Sequence, residues 1–310
     1  MNERYSLTAL FHLSVVYVVW GSTYFAVKLC LLGGGGITPT QLQCGRLGAA
    51  ALIFAVFAYF HHGWPVSLSA RTVALGSVTG VLMWVLGNGL TTVAAQYSTS
   101  SLVVMCMGAI PLWSLALNSV ISRTWPTRLT LLALLLGFIG LALVVSPSLA
   151  GKNSTIIRSG YEYVTLGLLV IAGLTWSLGS HLQKSRKNSL PAAWFAALQL
   201  GVASLVLFVQ AAIDPQPFEG SYDVTQWLAF GYLVVFGSVL AFFSYIYVNN
   251  EFSPAISSTF AYVNPIVGMG LGFTFLSEAI QLISVAGFVL ILASLTLTFT
   301  ARTKRRGSAG

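Results

Sequence analysis

The sequence predicts an all-α polytopic membrane protein whose ten transmembrane helices form two inverted five-helix repeats. Three observations carry that reading. Of 310 residues, 56% are apolar and 7% charged, against about a quarter charged in an ordinary soluble domain, so the chain lacks the charge to cover a water-facing exterior. Its apolar residues gather into runs near the roughly 20 residues that a helix needs to cross hydrocarbon. Similar segments also recur about half a chain apart, which is the mark of an internal repeat.

Breaks at Gly, Pro, His or charge clusters divide the runs into ten spans. The first, Thr8 to Leu32, ends at Gly33 to Gly36, a glycine turn ahead of the proline that opens the second, Pro39 to Phe60. The first run is too long for a signal-peptide core and lacks a small-residue cleavage site, so it reads as a retained span. The third, Arg71 to Ala95, and the fourth, Ser98 to Ile121, are joined so tightly that they must be antiparallel. The fifth, Arg128 to Ser146, carries "GFIGLALV", whose small residues permit close helix contact. The sixth, Tyr161 to Gln183, stops at a basic cluster, and the seventh, Pro191 to Ile213, starts on a proline. An acidic loop precedes the eighth, Val224 to Asn250. A very short turn leads to the ninth, Ser253 to Leu276, and the tenth, Ala279 to Thr300, runs into a basic tail.

The halves are expected at residues 1–150 and 151–310. "VVWGSTYFAVK" aligns with "GLTWSLGSHLQK", pairing Trp20 with Trp176 and Lys28 with Lys184, and Pro111 in "GAIPLW" answers Pro265 in "YVNPIV". Five spans per half force the second half to enter the membrane upside down, an arrangement many secondary transporters use. Fifteen Lys and Arg against seven Asp and Glu give a net charge of +8. In a soluble chain that balance would suggest nucleic acid. Here the basic residues concentrate at one set of helix ends, Arg4, Arg71, Arg123, Arg128, Lys184, Arg186, Lys187 and the 302–306 cluster, so the positive-inside rule explains them and puts both termini in the cytoplasm.

Cys30, Cys44 and Cys106 sit in apolar runs without paired spacing, so neither a disulfide framework nor a metal site is expected. No phosphate-binding glycine loop, metalloprotease motif or nucleophile elbow is present, which argues against an enzyme and against ATP hydrolysis on this chain. No cofactor is expected. The partners expected are a small-molecule substrate and membrane lipid, with no nucleic acid and no ATPase subunit implied. Oligomeric state is open.

Two cations lie inside spans. By helix rise Lys28 is roughly 6 Å and Arg46 roughly 10 Å from the same membrane surface. Lys28 snorkels to the headgroups or looks into the interior, and Arg46 bonds freed carbonyls or attracts an anionic substrate group. Aromatic, amide and hydroxyl side chains share helix faces: Trp20, Thr23, Tyr24 and Lys28; Trp84, Asn88 and Thr91; Ser100, Val104, Met107 and Pro111; Ser238, Phe242, Tyr245 and Asn249; Ser258, Tyr262 and Pro265. Such faces suit a pocket for an amphipathic solute. From them the candidate substrate-binding set is Trp20, Tyr24, Lys28, Arg46, Trp84, Asn88, Met107, Trp176, Tyr245, Asn249 and Tyr262, with Pro111 and Pro265 as hinges. All seven acids fall in loops, tails or span ends, so no intramembrane proton relay is expected.

"VWGSTYFAVK", "GAIPLW", "GFIGLALVVSP" and "YVNPIVG" with the following "LSEAI" resemble bacterial EamA-type members of the drug/metabolite transporter superfamily, over nearly the whole chain. The resemblance implies ten helices in two inverted repeats, a central cavity and export of small metabolites, commonly amino acids or related compounds. With it, the residues lead to an expected secondary transporter of the inner membrane that exports amphipathic metabolites, amino acids including aromatic ones foremost, by alternating access as a facilitator or exchanger. The alternatives are a proton-coupled exporter, an importer of the same fold and, less favoured, a channel.

Overall fold

A computed structural model describes residues 6–32, 37–64, 68–123, 127–149, 156–185, 190–213, 222–252 and 259–307, with the side chains of residues 185, 249, 250 and 298–307 outside the described set. Its apolar helices, in chain order, are α1 (Leu7–Leu32), α2 (Pro39–His62), α3 (Ala70–Tyr97), α4 (Ser100–Ile121), α5 (Arg128–Leu149), α6 (Glu162–Lys184), α7 (Ala192–Ile213), α8 (Val224–Val248), α9 (Phe260–Leu276) and α10 (Leu282–Gly307). The first eight are long and apolar enough to cross a membrane, and α9 and α10 supply two shorter apolar stretches.

The repeat is visible in the packing. α5 runs along α10 and α2 along α7, while α1 packs on α8 and α9 and α6 packs on α3 and α4. Advancing every helix by five places turns each of these pairs into another member of the same set. That is the signature of a two-fold relation between the halves. At the α5–α10 crossing Gly140 and Gly287 face each other: a methyl on Gly140 would stand 2.6 Å from the Gly287 carbonyl oxygen. Only glycine lets these backbones approach so closely.

Three helices widen. α1 has a π-helical segment at Val16–Trp20, α3 at Val81–Gly89 and α8 at Leu233–Leu240. Helices three and eight are repeat mates, so two of these segments occupy matching places. Such segments shift the hydrogen-bond register and re-aim side chains, often at functional sites.

Several boundaries differ from expectation for local reasons. α4 does not start at Ser98. Ser98 and Thr99 are extended, and the Thr99 hydroxyl caps the helix by accepting from Leu102 N. α4 is also interrupted at Gly108–Ala109, so Pro111 stands in the first turn of the resumed helix, where its missing N–H costs nothing. The expected start of the ninth span, Ser253, lies outside the described residues. α9 ends where Ser277 turns left-handed (φ 53°), and α10 begins at Leu282 because residues 278–281 cross between them unwound.

Candidate functional site

Between the halves lies a cleft lined by α1, α2, α3, α4, α6 and α9, whose empty space of about 660 Å³ includes solvent at its open side. The widened segments supply much of its surface, since Trp20 ends one and Trp84, Gly87 and Asn88 belong to another. The Trp20 indole N–H donates to the Gly237 carbonyl at 3.2 Å, on the widened part of α8. Trp20, Trp84 and Trp176 meet edge to face, with ring centroids 6.4 Å apart for Trp20–Trp176 and 5.6 Å for Trp84–Trp176. The residues paired by the repeat, Trp20 and Trp176, therefore face each other.

Arg46 is 2% exposed and lines this cavity. Its Nε donates to Ser238 Oγ at 2.7 Å and Nη1 to Asn88 Oδ1 at 3.3 Å. Those bonds use two of the five guanidinium donors. Among the described residues no carboxylate stands within ion-pair distance of it. Trp84 is 1% exposed, and its buried indole N–H has no acceptor among the described residues.

The cavity is closed at one end. Beyond Tyr24, Arg46, Thr91 and Val104 comes a layer of buried Leu42, Ala94, Ala95, Leu102 and Val103, and beyond it the α3–α4 turn. Three elements hold that turn. The Lys28 ammonium donates to the carbonyls of Ala95 (2.8 Å) and Ser98 (2.7 Å) at the end of α3. The buried Glu278 carboxylate accepts from Ser100 N (2.7 Å), Ser101 N (2.9 Å) and the Ser101 hydroxyl (2.6 Å) at the start of α4, and the Ser100 hydroxyl reaches both its oxygens. The segment before α6 adds Thr99 N to Ile156 O and Arg158 N to Tyr97 O, at 2.9 and 2.7 Å. A cation thus meets the negative end of one helix dipole and a carboxylate the positive end of the next. At the opposite end the lining is partly exposed, and a ring collar bounds it: Trp20 lies 4.8 Å from Tyr245 and 5.4 Å from Phe260 between centroids. Asn264 is oriented with its amide nitrogen donating to the carbonyls of Tyr17 and Phe260.

Of the residues singled out in the sequence, Trp20, Tyr24, Arg46, Trp84, Asn88, Met107 and Trp176 line the cavity, and so does Pro265. Tyr245 stands behind Trp20 in the collar. Tyr262 is turned toward the α4–α10 side of α9, packed against a buried cluster. Lys28 is not on the lining; its ammonium is taken up by the α3 carbonyls. The side chain of Asn249 lies outside the described residues, and Pro111 stands off the cavity. The sequence reading missed Phe260, Asn264 and Glu278. Nothing marked Phe260, and Asn264, though it stands in "YVNPIVG", was not singled out, because the importance of both depends on where α9 crosses α1. Glu278 had a signal, since an acid just past an apolar run beside two serines elsewhere is a capping possibility, but the partner lies 177 residues away.

Comparison with known proteins bears on this arrangement. The model of a family described as EamA-like transporters matches the chain twice, over residues 7–146 and 164–300. The chain belongs to the EamA-like transporter family. This EamA-like chain is 28% identical to the "uncharacterized inner membrane transporter YedA" of Escherichia coli K12, over 95% of its own length and 93% of that protein's. It is 26% identical to the "uncharacterized transporter YvbV" of Bacillus subtilis (96% and 93% covered) and 27% identical to "protein PecM" of Dickeya dadantii (90% and 88%). A crystal structure superposes with a TM-score of 0.64 at 16% identity, covering 95% of this chain and 98% of that one, so the two share a fold. The protein is a multi-pass transporter of the bacterial inner membrane that carries a small-molecule substrate.

Proposed function

We propose that the protein exports small amphipathic metabolites by alternating access, as a facilitator or exchanger and not as an enzyme, with amino acids, aromatic ones included, as the first solutes to test. The observation that carries the reading is the one-ended cavity: a chamber between two five-helix halves, flanked on the Ser98 side by a buried layer and on the other by a ring collar. A channel would need a continuous path, which this arrangement does not offer. Trp20, Tyr24, Arg46, Trp84, Asn88, Met107 and Trp176 hold the solute, Pro265 and the break beside Pro111 serve as flexing points, and Lys28 serves the closed end. Arg71, Arg123, Arg128 and Lys184 all stand at the collar end, and through the positive-inside rule this supports a cytoplasmic collar end and cytoplasmic termini. The chamber would then load from the cytoplasm, as export requires.

No Asp or Glu is found among the described residues lining the cavity, which favours transport without proton coupling. The test is counterflow in proteoliposomes. Labelled phenylalanine or tryptophan should accumulate transiently against unlabelled solute inside, to the same extent with and without a pH gradient. Flux that does not saturate would point to a channel, and steep dependence on the gradient would support the proton-coupled exporter instead.

A further inference from the structure

Resting on that transport reading, we infer that the cavity selects an organic monoanion: a carboxylate on a planar apolar body, held between the Arg46 guanidinium and the indole N–H of Trp84. Three independent features point the same way. Arg46 is the one charged residue on the described lining, it is almost fully buried, and its two hydrogen bonds go to neutral groups. A buried cation without a counter-ion is costly, and a negatively charged ligand group removes that cost. Trp84 lies four residues before Asn88, the Arg46 partner on the same helix, and its N–H is a second donor without an acceptor. Nothing on the described lining is acidic, so the ammonium group of a zwitterion finds hydroxyls, amides and ring faces there but no carboxylate.

Charge selection also explains how a carrier without a proton relay can export uphill in concentration. A monoanion leaving a cell whose interior is electrically negative is pushed outward by the membrane potential, whereas a zwitterion gains nothing from it. The missing acid and the buried arginine are then two aspects of one device.

The test uses three probes of one shape: 3-phenylpropanoate, phenylalanine and phenethylamine. Binding is read by quenching of tryptophan fluorescence in purified full-length protein, and flux by counterflow in proteoliposomes. The anion is expected to bind at least tenfold more tightly than the zwitterion, with the amine weakest. Its efflux is expected to quicken several-fold when a potassium diffusion potential makes the lumen negative, with phenylalanine flux unchanged. Arg46→Lys keeps the anion preference at reduced affinity, and Arg46→Gln abolishes the preference. Equal or tighter binding of phenylalanine or phenethylamine overturns the charge assignment while leaving the transport reading intact. Saturable binding of none of the three overturns both. Should Arg46→Gln fail to fold, the potential dependence of the unaltered protein decides alone, and anion flux indifferent to potential refutes the proposal.

Discussion

Glu278→Gln tests the clamp at the closed end. The carboxylate is 7% exposed and serves two backbone amides and two hydroxyls at 2.6 to 3.1 Å. Glutamine keeps one acceptor oxygen and places an NH2 group where the other pair of donors already points. The hydroxyls can rotate away to other acceptors, but one backbone N–H is stranded. A bond to a charged acceptor is worth about 1.5–3 kcal/mol. Losing the negative charge from the start of α4 adds about 1 kcal/mol. Together the change costs about 3 kcal/mol, which for a chain of 310 residues corresponds to roughly 5 °C in Tm. Thermal unfolding in detergent, followed by intrinsic tryptophan fluorescence, measures it. The control is Glu162→Gln at the same end, whose carboxylate accepts from Gly160 N in an exposed setting and should move Tm by about 1 °C or less. Equal shifts for the two variants would refute the argument, because they would mean that burial and helix capping add nothing to the Glu278 contacts.

Three further outcomes are expected. Lys28→Met strips the ammonium from the carbonyls of Ala95 and Ser98 and should destabilise by about 2 kcal/mol in the same unfolding assay; combined with Glu278→Gln it should cost less than the sum, since both hold one turn. Gly287→Ala would push a methyl to 2.5 Å from the Gly140 carbonyl and 2.7 Å from Val144 N, so it should destabilise by about 3 kcal/mol, whereas Gly270→Ala, with nothing within 4 Å of the new methyl, should be neutral or slightly stabilising in the same unfolding assay. Pro265→Ala restores a backbone donor inside α9 where the proline packs 3.0 Å from a methyl position on Gly108; solute affinity should stay within about twofold while counterflow slows about tenfold, and unchanged counterflow would remove Pro265 from the hinge role.

The fold was legible because hydropathy is a property of whole segments, and in a bilayer it leaves helices as the only arrangement for an open chain. The site was legible in part, where a feature is set by one helix: the Trp20–Tyr24 face, the Trp84–Asn88 face and the buried Arg46 all reach the cavity. What could not be read depends on crossing geometry. Lys28 and Arg46 differ by only about one helical turn in depth by helix rise, yet one ends on carbonyls of α3 and the other on the lining, on opposite sides of a buried layer. Phe260 and Asn264 enter through the placement of α9 against α1. The widened segments were equally hidden, since a π-helical turn adds no residue pattern that distinguishes it from an ordinary helical one.

The two ends of the chamber are held by different kinds of force, and that difference bears on how access can alternate. At the Ser98 end the turn is fixed by charge-assisted hydrogen bonds, which are short, directional and lost within an ångström or two of displacement. At the other end Trp20, Tyr245, Phe260 and Trp176 meet ring against ring at centroid separations of 4.8 to 6.4 Å, contacts that tolerate sliding because dispersion varies gradually with offset. One end therefore behaves as a latch and the other as a soft collar. The repeat supplies similar scaffolds to both ends, but Lys28 and Glu278 act together at one of them. Its repeat counterpart, Lys184, lies exposed at the collar end, so the inversion that carries one lysine to each surface leaves only the first in a buried contact. In the proposed cycle the collar, held by the softer ring contacts, is therefore the end that yields first to admit the solute, while the hydrogen-bonded end keeps the chamber shut.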